Sequence, residues 1–252
     1  MSSPILPGAE PFSAPGGPDG VLVVHGYTGS PGSLRHLAET FAEAGYAVEL
    51  PLLPGHGTAV SDLVPTRFED WVRVADATYV DLAARSRRVI VAGLSMGGSV
   101  ATWLCRQHPE IAGLLVVNPL IDPPAESFLE MLRGVLATGA DSIPGIGSDI
   151  ADPASHEISY GDTPIEPLLS LFAALAELQP QLGEIRCPAL IFTSRQDHVV
   201  PTQSSEVLVA GLGGPVEQIW LERSYHVATQ DYDQPEIESR SLEWAAKTLA
   251  AG

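Results

Sequence analysis

Six short apolar runs, rich in β-branched residues and interleaved with stretches of helical period, constrain this chain more than any other feature. They are Val21–Val24, Ala47–Leu50, Val89–Ala92, Leu114–Val117, Ala189–Phe192 and Val216–Leu221. Nearly every residue in them is apolar, which is the pattern of strands covered on both faces rather than on one. Between them, Ser33–Gly45 puts Leu34, Leu37 and Phe41 on one helical face and ends on a glycine. Thr66 followed by Glu69 reads as the capping-box start of a helix carrying Phe68, Trp71, Val72, Tyr79 and Leu82, and Pro235 opens a last helix with Ile237, Leu242 and Ala245. Strand and helix in alternation imply right-handed crossovers and a mostly parallel sheet.

The alternation starts after a lead-in and breaks once. Residues 1–20 are rich in Gly, Pro and Ser and read as an irregular lead-in. From Asn118 to about Pro180 no convincing strand occurs, although Phe128–Leu136 and Leu168–Leu178 have the composition of helices. A structureless loop of that length does not suit a compact domain. Residues 119–166 are therefore expected to form a cap inserted over the carboxyl edge of the sheet of a single domain, where open sheets of this kind place their sites.

Charge and cysteine content exclude some functions. The 252 residues are 45% apolar, enough for one large core, and carry a net charge of −18. With no basic cluster longer than Arg85–Arg88, that acidity disfavours nucleic acid as a partner. Only two cysteines, Cys105 and Cys187, are present, so a disulfide is neither implied nor ruled out. The N-terminus has no basic region followed by an apolar run, and no stretch approaches a membrane span. A soluble, cytoplasmic protein without stable membrane insertion is the expectation; nothing in the sequence sets its oligomeric state.

One local motif carries chemistry. Gly93-Leu94-Ser95-Met96-Gly97 follows the strand RVIVAG directly and precedes a run with the pattern of a helix start. The G-x-S-x-G pattern alone is weak, since chance produces about 0.2 matches in a chain of this composition. Its context, a strand into a helix, is what a serine on a sharp turn requires, and residues two before and two after such a serine must be tiny. The helix beginning at Met96 also directs free amides toward Ser95.

A serine hydroxyl becomes nucleophilic when a histidine accepts its proton and a carboxylate holds that histidine in one tautomer. Of seven histidines, His226 follows the last strand and precedes the final helix, the place for the base in the chain order Ser, Asp, His. His25 is read as shaping the loop after the first strand, His56 as structural in a tight turn, and His36, His108 and His156 as solvated or packed. His198 adjoins the candidate acid too closely to be its partner. For the acid, Asp197 is favoured over Asp122 because Val199-Val200-Pro201 would fix its loop. The oxyanion formed during acyl transfer needs donors, and the amides of Met96 and of Tyr27, in His25-Gly26-Tyr27-Thr28-Gly29-Ser30, are the candidates. That loop lacks the lysine and spacing of a phosphate cradle.

Taken together, HGYTGSPGSLRHLAETFAEAGY, LPGHGT, GLSMGG, PGIGSDI, SRQDHVVP and SYHVAT closely resemble the bacterial monoacylglycerol lipases and the related thermostable carboxylesterases, over nearly all of the chain after residue 20. The resemblance implies an α/β-hydrolase fold with a small cap, no cofactor and no metal, and hydrolysis of small lipid esters such as monoacylglycerols and short- to medium-chain acyl esters. It implies the triad Ser95, Asp197 and His226, the amide donors Tyr27 and Met96, a substrate contact at Ile146, and a glycerol contact at Glu157. The family usually has Phe where Tyr27 stands, which would bring a hydroxyl near the acyl pocket. A thioesterase, acyltransferase or carbon–carbon bond hydrolase on the same scaffold, or a slowly turning ligand-binding relative, are the alternatives to an esterase.

Overall fold

The computed structural model describes residues 3–250. Its central sheet has seven strands: β1 (Phe12–Ala14), β2 (Asp19–Val24), β3 (Ala47–Leu50), β4 (Arg88–Leu94), β5 (Gly113–Val117), β8 (Ala189–Ser194) and β9 (Val216–Leu221). Two further strands, β6 (Ser142–Pro144) and β7 (Asp162–Pro164), form a separate antiparallel pair. The order across the main sheet is β1-β3-β2-β4-β5-β8-β9, parallel throughout except that β1 runs antiparallel to β3.

Alternation along the strands divides the core. Leu22, Val24, Val89, Val91, Leu114, Val116, Ala189 and Ile191 face one side, packed by α3 (Phe68–Ala83), α4 (Met96–Gln107) and α6 (Ile165–Leu178). Val21, Val23, Ile90, Ala92, Leu115, Val117, Leu190 and Phe192 face the other, packed by α1 (Arg35–Glu43) and α8 (Gln234–Ala250). Because both faces of the central strands are buried, their residues are nearly all apolar, and a fully buried side chain of this size stabilises the fold by roughly 1.5–3 kcal/mol. The remaining helices are α2 (Val60–Leu63), α5 (Glu126–Ala137) and α7 (Gln203–Gly211).

Three expectations from sequence are corrected. The lead-in is not wholly irregular, since Phe12–Ala14 pair with Val48–Leu50 at the sheet edge through backbone bonds that leave little trace in side-chain pattern. Thr66 does not cap α3. Its hydroxyl donates to the Leu63 carbonyl at 2.8 Å, closing the preceding turn, and the Asp70 carboxylate accepts the Arg67 amide at 3.0 Å instead. The long interval after β5 does contain strands, although β6 and β7 pair over only three residues each.

The chain leaves β2 toward β3 on one side and returns to β4 on the other. The carboxyl ends of β2 and β4 therefore carry connections that diverge, which opens a crevice there. Gly26 follows the first of these strands and Ser95 the second.

Candidate active site

Ser95 sits at the junction of β4 and α4 with φ 55° and ψ −122°, a left-handed conformation that a non-glycine residue adopts only under constraint. The flanking glycines are sterically required. A Cβ on Gly93 would lie 2.2 Å from the Gly97 carbonyl oxygen, and one on Gly97 would lie 2.0 Å from that of Val24. The turn is held by the Ser95 amide donating to the Val117 carbonyl at 3.1 Å and by the Leu120 amide donating to the Ser95 carbonyl at 3.2 Å. The serine is 8% exposed, and that exposure opens into a cavity.

The loop after β2 approaches this turn closely, so that a Cβ on Gly26 would lie 3.4 Å from Cβ of Ser95. His25 shapes the loop as a neutral ring. The Leu53 amide donates to its Nε2 at 3.1 Å, which leaves the proton on Nδ1 to donate to the Gly26 carbonyl at 3.0 Å. Burial lowers the pKa of His25 to about 4. His56, also buried, is held well below the ordinary histidine value, first by burial and then by His25. Among the described residues, neither the Tyr27 nor the Met96 amide donates to a protein acceptor.

The hydroxyl of Tyr27 is committed to a main-chain partner. It donates to the Pro164 carbonyl at 2.6 Å, while the ring packs on Trp71 and His56. Thr28 O accepts the Tyr160 amide at 3.0 Å and the Ser30 hydroxyl donates to Ile158 O at 3.0 Å. Residues 158–164 thus fasten the loop that runs beside Ser95.

His226 and Asp197 meet on the turns after β9 and β8. Nδ1 of His226 donates to Oδ2 of Asp197 at 2.7 Å, and the two side chains are 8% and 2% exposed. Oδ1 of Asp197 accepts the amides of Val199 and Val200, each at 2.8 Å, so the backbone that follows it holds its carboxylate. This fixes the histidine tautomer and leaves Nε2 as an acceptor. Burial acts to lower the His226 pKa, but Asp197, through charge and hydrogen bond, together with Glu157 and Asp149, raises it above 6.5.

Asn118, at the end of β5, escaped the sequence reading. Its φ is 45°, a conformation asparagine tolerates better than most residues. Its Nδ2 donates to His226 O at 2.7 Å and to Ser194 Oγ at 2.9 Å, and its Oδ1 accepts the Ser194 amide at 2.7 Å. The one signal in the sequence was a polar residue directly ending an apolar central strand.

Ser95 and His226 line the same cavity of about 520 Å³, together with Gly26 and Tyr27. Its other walls are largely apolar and include Phe128, Ile143, Leu168, Phe172 and Val200. Ile146 and Glu157 both line it, but they differ in setting. Ile146 is 64% exposed at the rim, whereas Glu157 is buried with the Ser33 hydroxyl donating to its Oε1 at 2.6 Å. Burial raises the Glu157 pKa, against the opposing effects of Ser33 and His226. Asp122 also lines the cavity, but its carboxylate accepts from Gln179 at 2.8 Å rather than from a histidine. His36 and His198 are exposed beside Glu39 and Asp149, His108 packs on Tyr79 beside Asp76, and His156 is exposed. No cluster of three or more His, Cys, Asp or Glu able to hold a metal occurs among the described residues.

The strand order, the serine turn after a central parallel strand and the segment inserted after β5 define an α/β-hydrolase fold. Residues 18–233 match the family described as serine aminopeptidase, S33, and the chain belongs to that family. It is 46% identical to a thermostable monoacylglycerol lipase of Bacillus sp. (strain H-257), over 97% of each chain. It is 28% identical to a carboxylesterase of Bacillus subtilis (strain 168), over 94% of this chain and 96% of that one. A solved structure from work on LipS and LipT, two metagenome-derived lipolytic enzymes, superposes with a TM-score of 0.91 at 40% identity, covering 97% of this chain and all of the other.

Proposed function

We propose that this chain is a carboxylic ester hydrolase that cleaves monoacylglycerols and short- to medium-chain acyl esters through an acyl-enzyme on Ser95. The observation that carries the reading is that Ser95, on its constrained turn, and His226, bonded to a buried Asp197, open into one largely apolar cavity. The likeness to a monoacylglycerol lipase along the full chain supports the substrate class.

In this mechanism the ester carbonyl carbon lies against the Ser95 hydroxyl and its oxygen between the amides of Tyr27 and Met96. His226 Nε2 takes the hydroxyl proton as the C–O bond forms, and Asp197 stabilises the imidazolium. The two amides stabilise the oxyanion, each such donor contributing about 3 kcal/mol. Collapse of the tetrahedral intermediate passes the proton from His226 to the departing alcohol oxygen. A water deprotonated by the same histidine then attacks the acyl carbonyl and releases the fatty acid. Residues 119–166 act as the cap over this site. Phe128, Leu168 and Phe172 take the acyl chain, Ile146 contacts the substrate, and Glu157 meets the glycerol group. No step calls for a metal or cofactor.

We place the protein in the cytoplasm. Cys105 and Cys187 are both free, as a reducing compartment favours, and no helix among the described residues is long and apolar enough to cross a membrane. Cell fractionation with an antibody to the protein checks this.

The decisive experiment is a hydrolysis panel of monoglycerides graded by acyl length, run beside triglycerides, acyl thioesters and an aminoacyl anilide, with Ser95→Ala as control. Monoglyceride turnover that Ser95→Ala abolishes is the expected result. Preference for the thioester or the anilide would replace the esterase reading with a thioesterase or a peptidase one.

A further inference from the structure

Asp197 and His226 sit on separate turns, and the hydrogen bond by which the carboxylate orients the imidazole depends on those turns keeping one separation. Asn118 bridges them from the β5 side, through Ser194 in the strand leading to the acid and through the His226 carbonyl. A second bridge comes from the segment between β6 and β7. Oδ2 of Asp149 accepts the amide of His226 at 3.0 Å and the amide of His198 at 3.2 Å, and its Oδ1 lies 2.9 Å from Nδ1 of His198. The Asp149 carbonyl accepts the Val227 amide at 3.1 Å. One carboxylate, with its side chain 10% exposed, thus joins the base to the residue that directly follows the acid, while belonging to neither loop.

The chemistry of the side chain suits that position. Three donors converge on it, and an ionised carboxylate accepts all three without a proton to misplace, whereas an amide offers one accepting oxygen and would turn its NH₂ toward the remaining donors. Charge-assisted bonds of this kind are also the stronger ones.

We propose that Asp149 is a positioning residue that sets the geometry of the His226–Asp197 pair from within the segment lining the substrate cavity. The proposal rests on the triad reading above and requires no contact between Asp149 and the reacting atoms. It also gives that segment a role beyond shaping the pocket, since Asp149 lies three residues from Ile146 at the cavity rim.

The test compares wild type, Ser95→Ala, Asp149→Asn and Asp149→Ala, each normalised to its folded fraction. Three quantities are read: kcat and KM on a chromogenic ester, the rate at which a fluorophosphonate labels Ser95, and the low-field proton resonance of the His226 Nδ1–H. Misplacement of a catalytic group by about an ångström costs on the order of a hundredfold in rate, so kcat and labelling rate are expected to fall together by roughly ten- to a hundredfold, with KM little changed. Asp149→Asn, which keeps one accepting oxygen, falls less than Asp149→Ala, and the resonance shifts or broadens in both.

A purely structural Asp149 would lower the melting temperature while folded molecules kept kcat, labelling rate and resonance, and that result overturns the proposal. If Asp149→Ala does not fold, the isosteric Asp149→Asn decides by the same three readings. A wild type that neither labels nor turns over ester would instead remove the triad reading. An active wild type, an inactive Ser95→Ala and two wild-type-like Asp149 variants would remove only the role given to Asp149.

Discussion

Nδ1 of His226 lies 2.7 Å from Oδ2 of Asp197, and neither side chain is more than 8% exposed. The pair is therefore a hydrogen bond made out of water, where the aspartate charge acts on the imidazole with little screening. In the proposed mechanism His226 works only while neutral, and Asp197 holds its pKa above the ordinary histidine value, so the acid limb of kcat/KM is expected to lie at higher pH than for a free imidazole. Asp197→Asn removes the charge and permits the wrong tautomer. It should lower kcat by about four orders of magnitude and move the acid limb to lower pH. Initial rates across pH 4–9 check both shifts, about five pH units spanning the ordinary range of histidine titration.

The serine turn has no room for a methyl group. Gly97→Ala would bring a Cβ within 2.0 Å of the Val24 carbonyl oxygen and 2.7 Å of that of His25, both of them backbone. Displacing that backbone should destabilise the fold by about 3 kcal/mol and abolish turnover even where the protein remains folded, since β2, β4 and the turn must separate. Urea unfolding read beside ester hydrolysis measures the two effects.

Tyr27→Phe is expected to separate the side chain from the amide. The amide assigned to the oxyanion is retained, so kcat should change little. The bond to the Pro164 carbonyl is lost, which should lower stability by about 1 kcal/mol. A large fall in kcat without a change in melting temperature would place the hydroxyl in the chemistry.

Glu157 is buried at the cavity wall beside Ser33, in reach of His226 electrostatically. If it meets the alcohol portion of the substrate, Glu157→Gln should raise KM for monoglycerides about tenfold, the equivalent of one hydrogen bond of about 1.4 kcal/mol, and leave methyl and ethyl esters of the same acid almost unaffected. Equal effects on all three esters would argue for a role in holding Ser33 alone.

Asn118→Ala removes donors and acceptors that no water replaces, because Asn118 and Ser194 are buried. Stranding the His226 carbonyl and the Ser194 amide should lower stability by about 2–4 kcal/mol, counting each buried unpaired group at about 1–2 kcal/mol. Chemical denaturation checks the magnitude.

The strands were legible for a specific reason. In β4 and β5 both faces meet helices, so Arg88–Leu94 and Gly113–Val117 are apolar almost without interruption, and such runs stand out against any background. β1 was illegible because its three residues are joined to β3 through backbone atoms at an edge, where side chains are free to be anything. Thr66 misled because a threonine hydroxyl can donate to a nearby carbonyl as well as accept from a helix amide, and here it donates to Leu63 in the preceding turn. Ser95 could be found because its turn imposes steric demands on its own neighbours, and those demands are written as Gly93 and Gly97.

The amino-acid order by itself determined the layered sheet, the serine turn, and the places along the chain where an acid and a base should stand, since each follows from local periodicity, local sterics or position relative to a strand end. The tertiary structure alone decided how His226 is held. Its amide goes to Asp149, 77 residues away, and its carbonyl to Asn118, 108 residues away. Both bonds end on main-chain atoms, which every residue possesses. The partners therefore need no particular side chain on the histidine loop, and no spacing or composition marks them before the sheet has brought those turns together.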